Sequence, residues 1–349
     1  EEKVGFKTPL VMSGMALLVL YFFGISGKPG EVAFELSRRQ DAIQLPSITV
    51  DSMQLGTFAG SLMLLVAGAS VYLSLKNRKT PIWTSILFGI IGVVSLLGWL
   101  AAGNAVPVAF IAGTALVLAV PIILGSMAGV MSERVGITNI AIEGQLLTGA
   151  FMAAVVSTIT KNYALGIFAA MFTAALMSMI LAVFAIKYLA QQIIVGVVLN
   201  VLVIGLTNFL FSEVLSSNAA LLNQPPRFDR LPIPLLSEIP LIGPMFFRQT
   251  VIVYVMYVTV AIVAFALYKT RWGLRTRAVG EHPQAADTVG IRVNRTRFIN
   301  VLIAGAIAGL GGAFFTLGAV GAFNKEMTAG AGYIALAAVI FGQWDPIKA

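Results

Sequence analysis

The long apolar segments of this chain contain one ionisable side chain, that of Glu143. A charge within an apolar span is costly, which marks it as a candidate for function by default. Asn139 lies four residues earlier, and a spacing of four on a helix places two side chains on one face. The pair therefore predicts a polar surface that lines a solute path. A carboxylate near a helix N-terminus also favours the helix electrostatically, so a purely structural role remains open.

A second polar stripe is predicted where Thr207 and Asn208 follow Asn200 by seven and eight residues. At 3.6 residues per turn these three positions share a helix face. Such a stripe is suited to hydrogen bonding with a polar solute. It is equally suited to holding two helices together, since interhelical hydrogen bonds contribute about 0.6–2 kcal/mol each in membranes.

A third candidate lies within residues 269–297, the most basic part of the chain. Pro283 stands where a first helical position would be, and Gly290 stands where a helix would end. The run between them predicts a short surface helix whose small side chains let it seat in a groove of another protein. A solvated basic loop would explain the arginines but not this placement of proline and glycine.

Other kinds of chemistry are disfavoured by what the sequence lacks. No GxxxxGK[ST] phosphate-binding loop occurs, so the chain does not hydrolyse ATP by that route. It has no cysteine, and its one histidine, His282, lies in the basic segment. We therefore expect no catalytic residue, no metal site and no cofactor in this chain. An ion-coupled carrier predicts several charged residues within the spans, and a membrane enzyme predicts a polar catalytic cluster. Both remain more distant alternatives.

The elements that must position these residues are membrane-spanning helices. The chain is 58% hydrophobic and 11% charged, with a mean hydropathy of +0.91, whereas soluble domains carry about 25% charged residues. A membrane helix needs about 20 mostly apolar residues. The pattern predicts an all-α, polytopic transmembrane bundle of about ten helices. The predicted spans are Pro9–Ile25, Leu55–Leu75, Ile82–Ala102, Val108–Met131, Ile140–Thr158, Ala164–Ile186, Ile193–Ser212, Thr250–Tyr268, Phe298–Ala319 and Ala329–Gly342.

The distribution of basic residues predicts the orientation of these spans. With the N-terminus on the cytoplasmic side, 15 of the 23 lysines and arginines fall in inner segments, as the positive-inside rule requires. The basic segment 269–297 is then inside, and the loops 26–54 and 213–249 are outside. This placement explains the net charge of +8 without a nucleic acid partner.

Small residues recur at four-residue spacing in the ninth predicted span. They are the pairs Ala304-Gly305, Ala308-Gly309 and Gly312-Ala313. In membranes, small residues at this spacing let helix backbones approach closely. The run therefore predicts close helix packing and not a phosphate-binding loop.

Three blocks of the sequence resemble one family. They are the run Ser132–Phe151, the loop Gly273–Ile291 and the run Met327–Pro346. All three are similar to the membrane permeases of bacterial importers for nucleosides, within the wider superfamily of ribose and branched-chain amino acid permeases. The resemblance covers residues 108–349, which we interpret as the core permease domain. Residues 1–107 do not match closely and are interpreted as an added N-terminal transmembrane region with an outer loop.

The resemblance implies a type II importer-like permease that spans the bacterial cytoplasmic membrane several times. Its implied partners are a second permease subunit, identical or different, cytoplasmic ATPase subunits that carry ATP and magnesium, and an extracytoplasmic binding protein or lipoprotein. The positions that match the family's ATPase-coupling helix are Gly280, Glu281, Pro283, Ala285, Ala286, Asp287 and Gly290. Family members continue past the Trp344-Asp345-Pro346 block, so we expect further helices there.

The expected function is therefore the movement of nucleosides across the membrane by alternating access. Ribose-like sugars and branched-chain amino acids are the main alternatives. An amino acid would need partners for both an ammonium and a carboxylate group, and the lone Glu143 makes that substrate less favoured.

Overall fold

The computed structural model describes residues 6–37, 41 and 43–349. The chain divides into two compact units, one formed by Glu1–Thr114 with Ile233–Phe247 and the other by Ala115–Pro232 with Arg248–Ala349. Among the described residues, nine helices are long and apolar enough to cross a membrane. The predicted all-α, polytopic architecture is confirmed, with a few short strands in addition.

The first unit is built on three helices and a small sheet. Its elements are α1 (Lys7–Val19), β1 (Glu31–Glu35), β2 (Ile48–Asp51), α2 (Ser52–Leu75), α3 (Ile82–Leu100), β3 (Ala105–Pro107) and the first turns of α4 (Val108–Glu133). The helices pack around Met12, Met63 and Phe88. The strands form a sheet of order β2-β1-β3, antiparallel between β1 and β2 and parallel between β1 and β3. The sequence did not predict this sheet, because strands of three to five residues are too short to show periodicity.

The second unit holds the remainder of α4 and every later α-helix and strand. These are α5 (Ile142–Thr160), α6 (Tyr163–Ala182), α7 (Gln192–Leu210), α8 (Ala219–Leu222), β4 (Arg230–Pro232), β5 (Arg248–Thr250), α9 (Val251–Lys269), α10 (Arg271–Glu281), α11 (Pro283–Thr288), α12 (Val293–Ala313) and α13 (Ala331–Phe341). Strands β4 and β5 pair as an antiparallel hairpin. Helices α6, α7 and α12 continue as π-helical turns to Lys187, Leu215 and Val320.

Helices α5, α6 and α12 pack closely at the centre of the second unit. A Cβ atom placed on Gly149 would lie 2.6 Å from the carbonyl oxygen of Gly309, and one on Gly305 would lie 2.7 Å from that of Ala174. No side chain fits at either point, so these backbones touch directly. The prediction that the small residues of α12 serve close packing is confirmed.

The tenth predicted span is wrong. Helix α13 has 11 residues and is therefore about 16 Å long, whereas the hydrocarbon core of a bilayer is about 30 Å thick. It packs along the last turns of α4, where Ala335 faces Gly125 and Val339 faces Gly129. Its apolar composition resembles that of a full span because one of its faces packs against α4.

Replacing Gly309 with valine tests the close packing of α12. The new side chain would overlap the carbonyl oxygen of Ala170, so we expect a stability loss of about 1–3 kcal/mol from overpacking. Thermal unfolding of the purified protein in detergent measures the loss. Gly205→Val in α7 is the matched control, because a Cβ atom there meets nothing within 4 Å. Equal melting temperatures for the two variants would contradict the packing interpretation.

Candidate functional site

The chain between α4 and α5 folds back along α4. A Cβ atom on Gly125 or Gly129 would lie 3.4 or 3.3 Å from the side chain of Ile142, the first residue of α5. These glycines precede the end of α4 at Glu133 by eight and four residues, or about 12 and 6 Å along the helix. Helix α5 therefore starts one to two turns before the end of α4, and Glu143 lies beside this part of α4, at the start of its own candidate span.

The carboxylate of Glu143 binds the start of α13. Its Oε1 accepts hydrogen bonds from the Thr328 hydroxyl at 2.6 Å and from the Gly330 N–H at 2.9 Å, and its Oε2 accepts one from the Gly332 N–H at 2.7 Å. The side chain is buried. A carboxylate at a helix N-terminus satisfies unpaired N–H groups and is favoured by the helix dipole. These contacts explain how an ionisable residue is accommodated inside a membrane span.

Asn139 does not share a helix face with Glu143, so that prediction is wrong. Helix α5 begins at Ile142, and Asn139 lies in the non-helical segment before it. Its side-chain amide instead exchanges two hydrogen bonds of 3.1 Å with the amide of Gln145, and both residues are fully buried. No side chain caps the N-terminus of α5. The turn at Gly136, where φ is +78°, leads into an extended segment and not directly into a helix.

Asn200 joins three elements of the second unit. Its Oδ1 accepts a hydrogen bond from the Gly144 N–H at 2.8 Å, and its Nδ2 donates to the Ile140 carbonyl at 2.9 Å and to the Tyr333 hydroxyl at 3.1 Å. The buried side chain on α7 thereby holds the start of α5 and the first turn of α13 together.

The other two members of the predicted stripe have different surroundings. The Thr207 hydroxyl donates to the Val203 carbonyl of its own helix at 2.8 Å. The Asn208 amide donates to Glu326 at 3.0 Å, in the segment that precedes α13. The structure therefore does not bring Asn200, Thr207 and Asn208 to a common point.

The segment from residue 321 to 330 is an irregular stretch between the π-helical end of the span that contains α12 and the short helix α13. Its polar backbone is partly satisfied by Asn223, which accepts from the Phe323 N–H at 2.6 Å and donates to the Phe323 carbonyl at 3.0 Å. Irregular backbone at membrane depth is tolerated only where it is buried in protein or lines a water-filled cavity. Broken helices of this kind form solute sites in many transporters.

Sequence reasoning from residue types missed two members of this junction, Thr328 and Tyr333. Thr328 is buried against Glu143. Tyr333 hydrogen-bonds to Asn200 while its side chain remains 47% exposed. Neither residue is charged at neutral pH, so a search for charged side chains within the spans did not find them. Both lie in the block 327–346 that carries the family resemblance. We define the break site as Glu143, Asn200, Thr328, Gly330 and Tyr333.

The short helix predicted in the basic segment is present. Helix α11 runs from Pro283 to Thr288 with proline in its first turn, and the Nδ1 of His282 accepts a hydrogen bond from the Ala285 N–H at 3.2 Å. Gly290 follows with φ of +83°, a left-handed conformation that favours glycine. The exposed positions of this region include Glu281, Ala285 and Asp287.

Ala286 does not face outward, which corrects the view that every small residue of this helix seats in another protein. Its side chain is 3% exposed. It packs in a core cluster of this chain with Val135, Ile137, Ala182, Ala185, Val279 and Val301. Gly280 likewise packs inward, because a Cβ atom there would overlap the carbonyl oxygen of Arg134.

The segment after α13 is tied to the ends of α4 and α9. The Nε of Arg134 donates to the Trp344 carbonyl at 2.8 Å, and the Tyr268 hydroxyl donates to Asp345 at 3.0 Å. Burial alone would raise the pKa of Asp345, but hydrogen bonds from the Ile347 N–H and from Tyr268 hold that pKa below its ordinary value. Asp345 is therefore ionised at neutral pH and fixes the end of α13.

Comparisons with known proteins match this second unit. The family model described as branched-chain amino acid transport system / permease component matches residues 111–349. The guanosine ABC transporter permease protein NupQ of Bacillus subtilis is 39% identical over 241 residues, covering 67% of this chain and 75% of the relative. The nucleoside ABC transporter permease protein NupC of Lactococcus lactis is 40% identical over the same shares. The putative glucose ABC transporter permease protein TsgC13 of Haloferax volcanii is 35% identical over 65% of this chain and 68% of the relative. No solved structure matches the chain.

Replacing Glu143 with glutamine tests its role at the start of α13. The amide NH2 group cannot accept the hydrogen bonds that one carboxylate oxygen receives, so we expect a stability loss of about 1.5–3 kcal/mol and a loss of uptake. Thermal unfolding and uptake are measured together. Glu213→Gln, at an exposed position of the same unit, is the control and should leave both unchanged. An unchanged melting temperature with altered solute affinity would show instead that Glu143 contacts the solute.

Proposed function

Because the chain belongs to the family of branched-chain amino acid transport system permease components, we propose that it is the permease subunit of an ATP-driven importer for nucleosides. The multi-pass helical fold and the family place it in the membrane as a transport component. The proposed solute is supported by the two relatives at 39% and 40% identity, whose names specify a guanosine transporter and a nucleoside transporter.

A sugar importer is the second candidate. One relative at 35% identity is named as a putative glucose permease. Both solutes carry several hydroxyl groups and no net charge, so the same kind of neutral polar path serves either. Branched-chain amino acids are less favoured, because the carboxylate of Glu143 already receives three hydrogen bonds from this chain.

We place the solute path at the break site. The exposed ring of Tyr333 offers an aromatic surface on which a nucleobase stacks, and its hydroxyl is oriented by Asn200. Aromatic stacking contributes about 1–3 kcal/mol per base and tolerates different bases. Glu143, Asn139 and Asn200 then act by positioning α5, α7 and α13. Thr207 and Asn208 remain candidates for the outer part of the path.

The proposed mechanism is alternating access driven from the cytoplasmic side. ATP and magnesium are held by a partner ATPase, which engages α11 through exposed positions such as Ala285. A second permease subunit completes the path, and an extracytoplasmic binding protein or lipoprotein delivers the solute. This arrangement requires a cytoplasmic N-terminus, which the distribution of basic residues supports. The family match begins at residue 111, in support of residues 1–107 as an added region.

Uptake into vesicles that contain the full transporter tests the solute. We expect ATP-dependent accumulation of radiolabelled guanosine that exceeds accumulation of glucose, ribose and leucine. Vesicles whose partner ATPase carries an inactivating substitution are the control, and they should accumulate none of the four. Glucose uptake in preference to guanosine would favour the sugar importer. Uptake driven by an ion gradient without the ATPase would overturn the proposal.

Replacing Ala285 with arginine tests the docking of α11. Ala285 is exposed, so the variant should fold and insert normally while the bulky charge prevents a partner from approaching. We expect loss of ATPase co-purification and of uptake, with an unchanged melting temperature. Ala285→Ser is the matched control and should retain both the co-purification of the ATPase and the uptake of solute. Ala286→Arg, in contrast, should unfold the inner core, because its site is buried. Normal uptake by Ala285→Arg would contradict the docking surface.

A further inference from the structure

A recess of about 820 Å³ lies between α10, the loop after α11 and the first turns of α12. It is open at the surface of the second unit and is distinct from the break site. Its size lies within the range of pockets that hold a small ligand or a head group. Its walls come from the end of one membrane span and the beginning of another, because α9 ends at Lys269 and the span that contains α12 begins at Val293.

One side of the recess is strongly cationic. Arg275, Arg292 and Arg295 line it, all three are exposed, and no acidic side chain is among its lining residues in the described part of the chain. Arg292 is also the N-cap residue of α12, and no side chain caps the N–H groups of that helix end. Arginine side chains and a free helix N-terminus both bind phosphate oxygens.

The other side of the recess is apolar. Leu274 and Val289 are 61% and 74% exposed, and Ile299 in the second turn of α12 is exposed as well. Trp272 also lines the recess, and tryptophan is enriched where membranes meet water. The cationic and apolar walls therefore stand next to each other at the boundary of the membrane.

We propose that this recess binds one anionic phospholipid of the surrounding membrane. The phosphate diester lies against the three arginines and the start of α12, and the acyl chains lie along Leu274, Val289 and Ile299. A free phosphate ion would use the arginines but would leave the apolar wall exposed to water. A lipid uses both walls, and basic pockets at the membrane boundary are known to bind anionic head groups.

The test is lipid retention, measured by native mass spectrometry on the full transporter. The transporter is purified from bilayers that contain equal amounts of phosphatidylglycerol and phosphatidylcholine with identical acyl chains. Wild-type protein should retain phosphatidylglycerol in preference to phosphatidylcholine. Each of Arg275→Gln, Arg292→Gln and Arg295→Gln should weaken retention by about fivefold, since one basic side chain contributes about 1 kcal/mol at a membrane surface.

Arg271→Gln is the matched control. Arg271 is an exposed arginine of α10, as Arg275 is, but it does not line the recess. It should retain the lipid as the wild type does. A large excess of inorganic phosphate should fail to displace the lipid. Complete displacement by phosphate, or no preference for phosphatidylglycerol, would overturn the proposal. A variant with all three arginines replaced could keep its lipid but lose the partner ATPase. That result would also overturn the proposal and would identify the recess as a protein docking surface.

Discussion

The second unit depends on the placement of one carboxylate within the membrane. Glu143 is accommodated there because it accepts hydrogen bonds from the Thr328 hydroxyl and from the Gly330 and Gly332 N–H groups at the start of α13, which would otherwise be unpaired. A buried carboxylate without hydrogen-bond donors is unfavourable, and so is a buried helix N-terminus without acceptors. Because each supplies what the other lacks, the contact removes both costs. This contact fixes the start of α13 against α5, while Tyr333 in the first turn of α13 remains exposed.

Close backbone packing supplies the frame in which that contact is possible. Helices α5, α6 and α12 approach through glycines that leave no room for a side chain. Asn200 then joins α7 to the start of α5 and to α13 with hydrogen bonds from one buried amide. Close packing and polar contacts together hold the irregular segment 321–330, in which Phe323 and Thr328 are buried while Lys325 and Glu326 are exposed.

Much of this arrangement could be predicted from the sequence, and the remainder could not for identifiable reasons. Nine spans follow from long apolar runs, and the bounds of α11 follow from Pro283 and Gly290, because these signals are local. The depth of Glu143 could not be predicted, since it depends on how far residues 134–141 fold back between α4 and α5. The inward direction of Ala286 could not be predicted either, because a helix of six residues shows too little periodicity to reveal its buried face. The first unit's strands were missed because pairing between β1 and β3 joins residues about 70 positions apart.

The burial of Ala286 has a mechanical consequence. The cluster that encloses it includes Val135 and Ile137, which precede α5, and Val301, which belongs to α12. Protein interiors are closely packed and have low compressibility. Helix α11 is therefore held firmly to these elements through its buried face. Any movement of α11 relative to the rest of the unit requires this cluster to rearrange. The segment that leads to Glu143 belongs to the same cluster and would have to move with it.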